Sequence, residues 1–202
     1  DTLRLYEMFM GPLEADKPWS TQGLEGAHRW LERIYRLVTN NDMIVEENDG
    51  SLDYVYNFTV KKVSEDIEKL ALNTAISQMM IFINAVNKEN IFPLEYAEGF
   101  LKLLNPIAPH ITEELWNTVL KHNNTIAYEQ WPKYDDSKTI NDEITLPIQF
   151  NGKLKSTIKI TLNEDEASVK EKVHNAILDK LEGKTITKEI YVKNKIYNIK
   201  QI

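Results

Sequence analysis

The stretch Leu101-Lys-Leu-Leu-Asn-Pro-Ile-Ala-Pro-His-Ile-Thr-Glu-Glu-Leu-Trp116 marks the meeting of two predicted helices. The first is predicted to run from about Pro93 to Asn105, because a residue that precedes a proline is biased out of the helical region. The second is predicted to begin at Pro109, since proline at the first helical position loses no hydrogen bond. Apolar residues recur at helical spacing on both sides, at Leu101, Leu104, Ile111, Leu115 and Val119. The two prolines therefore predict a stiff corner between two core helices.

The composition is that of a globular protein with room for one or two domains. The chain has 202 residues, 42% of them hydrophobic, and no cysteine, which excludes disulfide bonds and cysteine-ligated zinc. No apolar run reaches the length of about 18 residues that a membrane-spanning helix needs, and no secretory leader opens the sequence. We therefore expect no membrane partner, and the missing cysteines agree with a reducing cytosol.

Charge divides the chain unevenly. Residues 143–202 hold eleven lysines, no arginine and eight acidic residues, a net of +3, so residues 1–142 hold thirteen basic and twenty-three acidic residues, a net of −10. The front part is therefore not a general binder of polyanions. Any RNA contact there requires a local basic patch.

Helical periodicity predicts four helices before the corner. They lie within Asp1–Met10, Leu24–Val38, about Tyr54–Leu72, and an apolar segment that includes Ala75–Val86 and should be central. The third helix is predicted to bury Val60, Val63, Ile67 and Leu70, and Asn73-Thr74 to interrupt the pattern before the fourth. Residues 13–23 and 40–53 are predicted loops, and residues 126–131 an extended segment.

The second predicted helix carries the best local basic patch of the front part. Three arginines recur there at i, i+4 and i+7, namely Arg29, Arg33 and Arg36. They form one stripe and are candidate RNA contacts. Glu25 precedes Arg29 by four residues, and Glu32 stands in the same relation to Arg36, a spacing that also suits surface ion pairs. Plain solvated arginines are therefore the alternative.

After residue 142 the hydrophobic period changes from helical to alternating. Ile144–Phe150 and Leu154–Leu162 read as two strands joined by the hairpin turn Asn151-Gly152. A helix with the stripe Val169, Val173, Ile177 and Leu181 follows, ended by Gly183, and then two strands around Asn194. The predicted fold class is therefore α+β: an all-α helical bundle at 1–132, a polar linker at 133–142, and a small ββαββ domain at 143–202.

The residues indicate no catalytic or metal site. No glycine-rich phosphate loop is present. His110, Glu113 and Glu114 stand close together, but the inverted zinc motif requires a second histidine where Glu114 stands. The remaining histidines are scattered, and Ser64 has no neighbouring histidine in sequence. We expect no catalytic residue, no metal and no cofactor in this chain.

The corner also resembles a known family signature. Asn105-Pro-Ile-Ala-Pro-His110 followed by Glu113-Glu-Leu-Trp116 is similar to the helical anticodon-binding domain of class I aminoacyl-tRNA synthetases. The run Asp1–Glu14, with Pro18-Trp19 and Gly23–Arg33, resembles bacterial leucyl-tRNA synthetases just after their Lys-Met-Ser-Lys-Ser loop. Shorter similarities occur at Asn73–Ile76, Trp131-Pro132 and Leu181–Lys184, so that the resemblance covers essentially the whole chain.

The resemblance implies a role in leucine tRNA recognition. Enzymes of that family join leucine to its tRNA with ATP and edit wrong products in a separate domain. The motifs of those catalytic and editing domains do not occur here, so ATP belongs to a part that this chain lacks. The implied partners are leucine tRNA and the remainder of the synthetase chain, and the implied state is a cytoplasmic monomer. In the family the bundle packs along the tRNA, and the small tail reaches its outer corner and long variable arm.

The lysines of the tail suit that expectation. Candidate tRNA contacts are Lys153, Lys155, Lys184, Lys188, Lys193, Lys195 and Lys200. Lysines neutralise phosphates and release counterions, and Tyr191 and Tyr197 among them could stack on unpaired bases. The alternative is an ordinary solvated face with tyrosines packed in the core.

Two other classes of function fit the same residues. One is a helical protein-interaction module with a ubiquitin-like tail, which would bind protein regardless of salt. The other is a free-standing RNA-binding protein. The abrupt helical start at Asp1 speaks against the latter.

Overall fold

The computed structural model describes residues 1–140, 143–162, 164–177 and 186–201. Contacts divide the chain into two compact units, Asp1–Ile140 and Asn141–Ile202. The first is helical and the second contains a four-stranded sheet with one described helix, which confirms the predicted α+β class. The last two residues of the predicted linker, 141 and 142, lie outside the described residues.

Six α-helices form the first unit, all of whose residues the structure describes. They are α1 (Thr2–Phe9), α2 (Thr21–Thr39), α3 (Asp53–Glu68), α4 (Leu72–Glu89), α5 (Leu94–Leu104) and α6 (Pro109–Glu114). Helix α4 is the central one, as predicted. Its inward residues Ala75, Ile76, Met79, Phe82, Ile83 and Val86 are each 0% exposed.

The corner between α5 and α6 forms where the two prolines predict it. Asn105 nevertheless keeps helical dihedral angles (φ −52°, ψ −42°), although it precedes a proline. The helix therefore ends after Asn105, not before it. The Asn105 side chain instead spans the corner, donating to the hydroxyl of Thr112 at 2.8 Å. Beyond Glu114 the helix widens into one π-helical turn, Leu115–Val119, which buries Trp116.

Two helix boundaries differ from the sequence prediction because side chains fix them. Helix α2 begins at Thr21, earlier than expected, since the Ser20 hydroxyl accepts from the amide of Gly23 at 3.1 Å and caps it. Helix α3 ends at Glu68, and the buried Asp66 binds Thr74 of the next helix at 2.6 Å. The break therefore falls before residues 73–74, and Leu70, predicted inward, sits at φ +56° and is 64% exposed.

Two short segments differ from the sequence prediction. The predicted loop 40–53 contains strand β1 (Ile44–Val45), which pairs in parallel with β2 (Phe92–Pro93). The predicted extended segment begins with a 3₁₀ turn, Ile126–Tyr128. Elements of two or three residues are too short to show a periodicity in the sequence.

Residues 131–139 form a strap that lies along α3, although the polar composition of residues 133–142 predicts a linker. Its polar contacts follow α3 at successive turns: Trp131 with Ser64, Asp136 with Lys61, Asp135 with Asn57, and Lys138 with Asp53, at 2.6–2.8 Å. A 3₁₀ turn at Asp136–Thr139 shapes its end. The described part of the predicted linker is thus part of the first unit.

The second unit has the predicted ββαββ order in its described residues. Strands β3 (Glu143–Phe150), β4 (Lys153–Thr161), β5 (Ile186–Val192) and β6 (Ile196–Gln201) lie in the order β4-β3-β6-β5, with β3 and β6 parallel. Helix α7 (Glu166–Ile177) covers one face, and its Val169, Val173 and Ile177 are 0% exposed. Asn151 and Gly152 have positive φ, as a two-residue hairpin turn requires. The predicted Leu181 and Gly183 lie outside the described residues.

A β-bulge changes which face β4 presents. The register shifts between Ile148 and Gln149, so that Ile158 faces Leu146 but Leu154 faces Gln149. Leu154, predicted inward with Ile158 and Ile160, is therefore turned away from the core and is 62% exposed. One inserted residue inverts the alternation of side chains beyond it.

Candidate nucleic-acid interface

The face of the small sheet that is turned away from α7, called here the outer face, carries two lysines of the candidate set. Glu189 pairs with Ile199 and Tyr191 with Tyr197 on the α7 side. Because successive side chains of a strand alternate, Lys188 and Lys200 point the other way. They lie directly opposite each other across β5 and β6, and both are exposed.

The acidic residue nearest to them in sequence does not neutralise this pair. Glu189 points to α7, where it binds Lys170 at 2.5 Å and also contacts His174. Burial acts to raise the pKa of Glu189, but the hydrogen bonds from Lys170 and His174 outweigh it and lower that pKa. The carboxylate is thus ionised and paired on the inner side, away from Lys188 and Lys200 on the outer face.

The other candidate lysines of the tail occupy both ends of the sheet. Lys193 and Lys195 are exposed in the turn between β5 and β6. Lys153 and Lys155 follow the β3–β4 turn, whose Asn151 amide donates to the carbonyl of Ile199 at 2.9 Å, next to Lys200. Five residues at about 3.4 Å each separate Lys195 from Lys200, roughly 17 Å along β6.

The candidate lysines that the structure describes thus form two groups. Lys153, Lys155, Lys188 and Lys200 lie toward one end, and Lys193 and Lys195 at the other. Lys184 lies outside the described residues. The spacing in sequence could not reveal this division, because the parallel pairing of β3 with β6 decides which turns share an end.

Sequence reasoning passed over one basic residue of this surface. Lys159 is exposed and pairs with Thr145, which alternates with the buried Leu146 and so lies on the outer face. The outward direction of Lys159 could be read from the sequence, because Lys159 stands between Ile158 and Ile160, which were predicted to point inward. It extends the basic surface onto β4.

The two tyrosines do not serve equally for stacking on bases. Tyr197 is 2% exposed and belongs to the core against α7, and burial raises its pKa to about 12. Tyr191 is half-buried and its ring stacks on that of Tyr197 at 5.7 Å. The expectation that Tyr197 stacks on RNA is therefore wrong, since its ring is covered by its own core.

The arginine stripe of α2 is exposed. Of the two ion pairs that its spacing suggests, the structure shows the one between Glu25 and Arg29. Arg29 lies 3.9 Å from Glu25, and both side chains are mostly exposed. Arg33 donates to the amide oxygen of Asn84 at 2.8 Å, and Arg36 to the backbone carbonyl of Glu32 at 3.4 Å. The Glu32 carboxylate meets His28 instead, at 3.6 Å. The contacts of Arg33 and Arg36 leave their charges available to an anion.

His110 and Glu113 of the corner make contacts that hold the fold together. The Asp1 carboxylate accepts from the Nδ1 of His110 at 2.8 Å and from the amide of Ile111 at 2.7 Å. Glu113 accepts from Thr125 and from the amide of Ile126.

Among the residues that the structure describes, no group of three His, Cys, Asp or Glu side chains could hold a metal ion. Nor does any described helix have the length and apolar character to cross a bilayer.

Comparisons with known proteins agree with this architecture. A family model described as the anticodon-binding domain of tRNA ligase matches residues 49–173, more than half of the chain, from α3 into α7. A solved structure of the Agrobacterium radiobacter K84 agnB2 LeuRS, in a ternary complex with tRNA and LeuAMS, matches with a TM-score of 0.64 and 27% identity. The match covers 100% of this chain and 28% of that one, so the chain spans little more than a quarter of that synthetase. This chain belongs to the family of anticodon-binding domains of tRNA ligases.

Proposed function

We propose that this chain is the tRNA-binding C-terminal part of a leucyl-tRNA synthetase and positions leucine tRNA for ATP-dependent aminoacylation and editing elsewhere in the enzyme. The observation that carries the proposal is the match along the entire chain to a synthetase bound to tRNA. ATP and catalysis would belong to parts of the enzyme outside these residues, and the working state would be a cytoplasmic monomer.

The charge distribution supports tRNA as the ligand of the second unit. A polyanion relieves the repulsion between Lys188 and Lys200, which face each other across the sheet. Each phosphate contacted by a lysine releases condensed counterions, so binding should weaken steeply as salt rises. The ββαββ order suits a ubiquitin-like protein-binding tail equally well, and the facing pair Lys188 and Lys200 favours RNA.

The first unit would contribute a narrower contact. Its acidic residues outnumber its basic ones, so RNA phosphates should be repelled from much of its surface. Arg29, Arg33 and Arg36 offer a cationic stripe about two helical turns long on α2. We infer that this stripe is where RNA meets the bundle, with phosphate contacts that position the tRNA without reading its sequence.

The proposal is tested by binding of the chain to leucine tRNA and to a tRNA with a short variable arm, each at low and moderate salt. We expect tighter, salt-sensitive binding to the leucine tRNA, because the tail is proposed to reach the tRNA corner and variable arm. Equal binding to both would overturn the leucine-specific part. Salt-insensitive binding, or binding to neither, would overturn the tRNA-binding function of the isolated chain.

A further inference from the structure

A row of four side chains crosses the outer face of the small sheet, one from each strand. The strand register places Leu154 beside Gln149, Gln149 beside Asn198, and Asn198 beside Ile190. Because neighbouring strands lie about 4.8 Å apart, the row is roughly 14 Å long. Two amides therefore stand side by side at its centre, with an aliphatic side chain at each end.

The burial of their neighbours fixes the direction of both amides. The residues that flank Gln149 and Asn198 along their strands belong to the core against α7; they are Ile148, Phe150, Tyr197 and Ile199. Successive side chains of a strand alternate, so Gln149 and Asn198 are turned away from α7. Both are half-buried, so both are open in part to a ligand on the outer face.

The amide of Asn198 has an unused hydrogen-bonding group. Its Oδ1 atom is buried and has no hydrogen-bond partner among the residues that the structure describes. A buried acceptor without a partner costs folding free energy, so stability does not explain an amide at this position. A turn about the Cβ–Cγ bond of this half-buried side chain brings Oδ1 to the exposed side, where a ligand can donate to it.

Lysines border the row and favour RNA as that ligand. Lys188 and Lys200 are exposed on the same face, and Lys200 follows Asn198 by two residues along β6. Two strand residues span roughly 7 Å, so a nucleotide whose base meets the amides has its phosphate within reach of the lysines. Leu154 is 62% exposed and offers an apolar surface to the base.

We propose that Gln149 and Asn198 read the Watson–Crick edge of an unpaired adenine or cytosine of the tRNA. This assignment rests on the proposed function and deepens it, because phosphate contacts position an RNA whereas base contacts distinguish its sequence. Both bases carry an amino group next to a ring nitrogen that accepts. An amide side chain matches that edge with one acceptor and one donor, and unpaired bases are commonly recognised in this way.

Methylation by dimethyl sulfate tests the proposal, because it attacks N1 of unpaired adenine and N3 of unpaired cytosine, the ring nitrogens that the amides would cover. Leucine tRNA is probed alone and with saturating 202-residue chain, as wild type, Gln149→Leu, Asn198→Leu and Asn175→Leu. Asn175 is the matched control, because it is an exposed asparagine of α7, which covers the opposite face of the sheet.

We expect wild type and Asn175→Leu to protect the same adenine or cytosine, and the two outer-face variants to lose that protection. Each outer-face variant should also bind leucine tRNA roughly tenfold more weakly, with an unchanged slope of log K against log salt, since no phosphate contact is lost. The Tm should not fall in Asn198→Leu, because the buried Oδ1 loses no partner. If Asn198→Leu does not fold, Gln149→Leu alone decides.

Two results would overturn the proposal while tRNA binding stands. One is equal protection by all four chains, which would leave the row to a protein ligand. The other is a shallower salt slope in the outer-face variants, which would assign their effect to phosphate contacts. Absence of binding by the wild-type chain would overturn the proposed function and this assignment together.

Discussion

Lys188 and Lys200 face each other across antiparallel strands β5 and β6, with both side chains on the outer face of the sheet. Like charges in this arrangement destabilise a sheet by a few tenths of a kcal/mol to about 1 kcal/mol. We expect Lys200→Glu to raise the free energy of unfolding of the second unit by about 0.5 kcal/mol and to weaken tRNA binding. Urea denaturation and a binding titration measure the two effects.

The control for that substitution is Lys195→Glu. Lys195 lies in the turn between the strands and lacks a directly paired lysine in the ladder. Lys195→Glu should therefore weaken tRNA binding without raising the free energy of unfolding of the second unit. A loss of stability in Lys200→Glu would show that the two lysines do not repel each other.

Gly99 of α5 leaves room for the hydroxyl of Tyr56. A Cβ at position 99 would stand 1.8 Å from that oxygen and 2.9 Å from the ring carbon that bears it. Gly99→Ala should therefore destabilise the first unit by about 1–3 kcal/mol, although alanine is the better helix former.

Tyr56→Phe should recover part of this loss, because it removes the nearest atom while its ring can still stack on Tyr96. The free energies of unfolding of both single variants and the double variant form the test. Additive effects of the two substitutions would contradict the proposed clash, since residues in contact are expected to couple.

Glu164 makes the stability of the second unit depend on acid pH. Hydrogen bonds from Lys172 and Ser168, and from the amide of Thr161, lower the pKa of Glu164 from 4.5 to about 2. The ionised form is therefore stabilised in the folded state, and its contribution is present above pH 4.5 and lost as the pH falls towards 2. Thermal unfolding of wild type and Glu164→Gln over this range tests the assignment.

The wild-type Tm should fall more steeply with acid than that of Glu164→Gln, because glutamine has no proton to gain. At pH 6 the variant should be the less stable of the two. Parallel pH profiles would contradict the role of Glu164.

The strap depends on Lys138 at its end. Lys138 lies 2.6 Å from Asp53, a carboxylate that also accepts from Tyr96 and Asn48. Burial acts to raise the pKa of Asp53, but these hydrogen bonds outweigh it and the pKa is lowered. Lys138→Ala should speed amide hydrogen exchange in residues 136–139, while α4 keeps its protection.

Lys133→Ala is the matched control, because Lys133 is also an exposed lysine of the strap but makes none of its contacts along α3. Equal exchange in both variants would mean that the pair of Lys138 with Asp53 does not hold the strap.

Long periodic segments of the fold were predictable from the sequence, and short ones were not. The apolar face of α4 and the prolines of the corner each involve several residues that agree with one another, so α4 and α6 were placed correctly. Leu70 and Leu154 were misplaced because a left-handed turn and a bulge, each one residue long, reversed their direction. The strap was missed because its contacts with α3 are polar and distant in sequence.

The candidate interface was predictable in composition but not in arrangement. The excess of lysine in the tail is a property of the sequence alone. Which lysines share a face depends on strand register, and Glu189 could not be assigned to the α7 side without knowing the pairing of β5 with β6. The roles of the arginines and lysines in tRNA binding remain predictions.

The salt dependence of binding to leucine tRNA tests the central claim most directly. Binding constants of the wild-type chain and of Lys193→Glu/Lys195→Glu and Lys188→Glu/Lys200→Glu would be measured over a series of salt concentrations. If these lysines contact phosphates, each double variant binds more weakly and its slope of log K against log salt is shallower by about 1–2. Slopes equal to that of the wild type would contradict tRNA binding by the outer face and its turn.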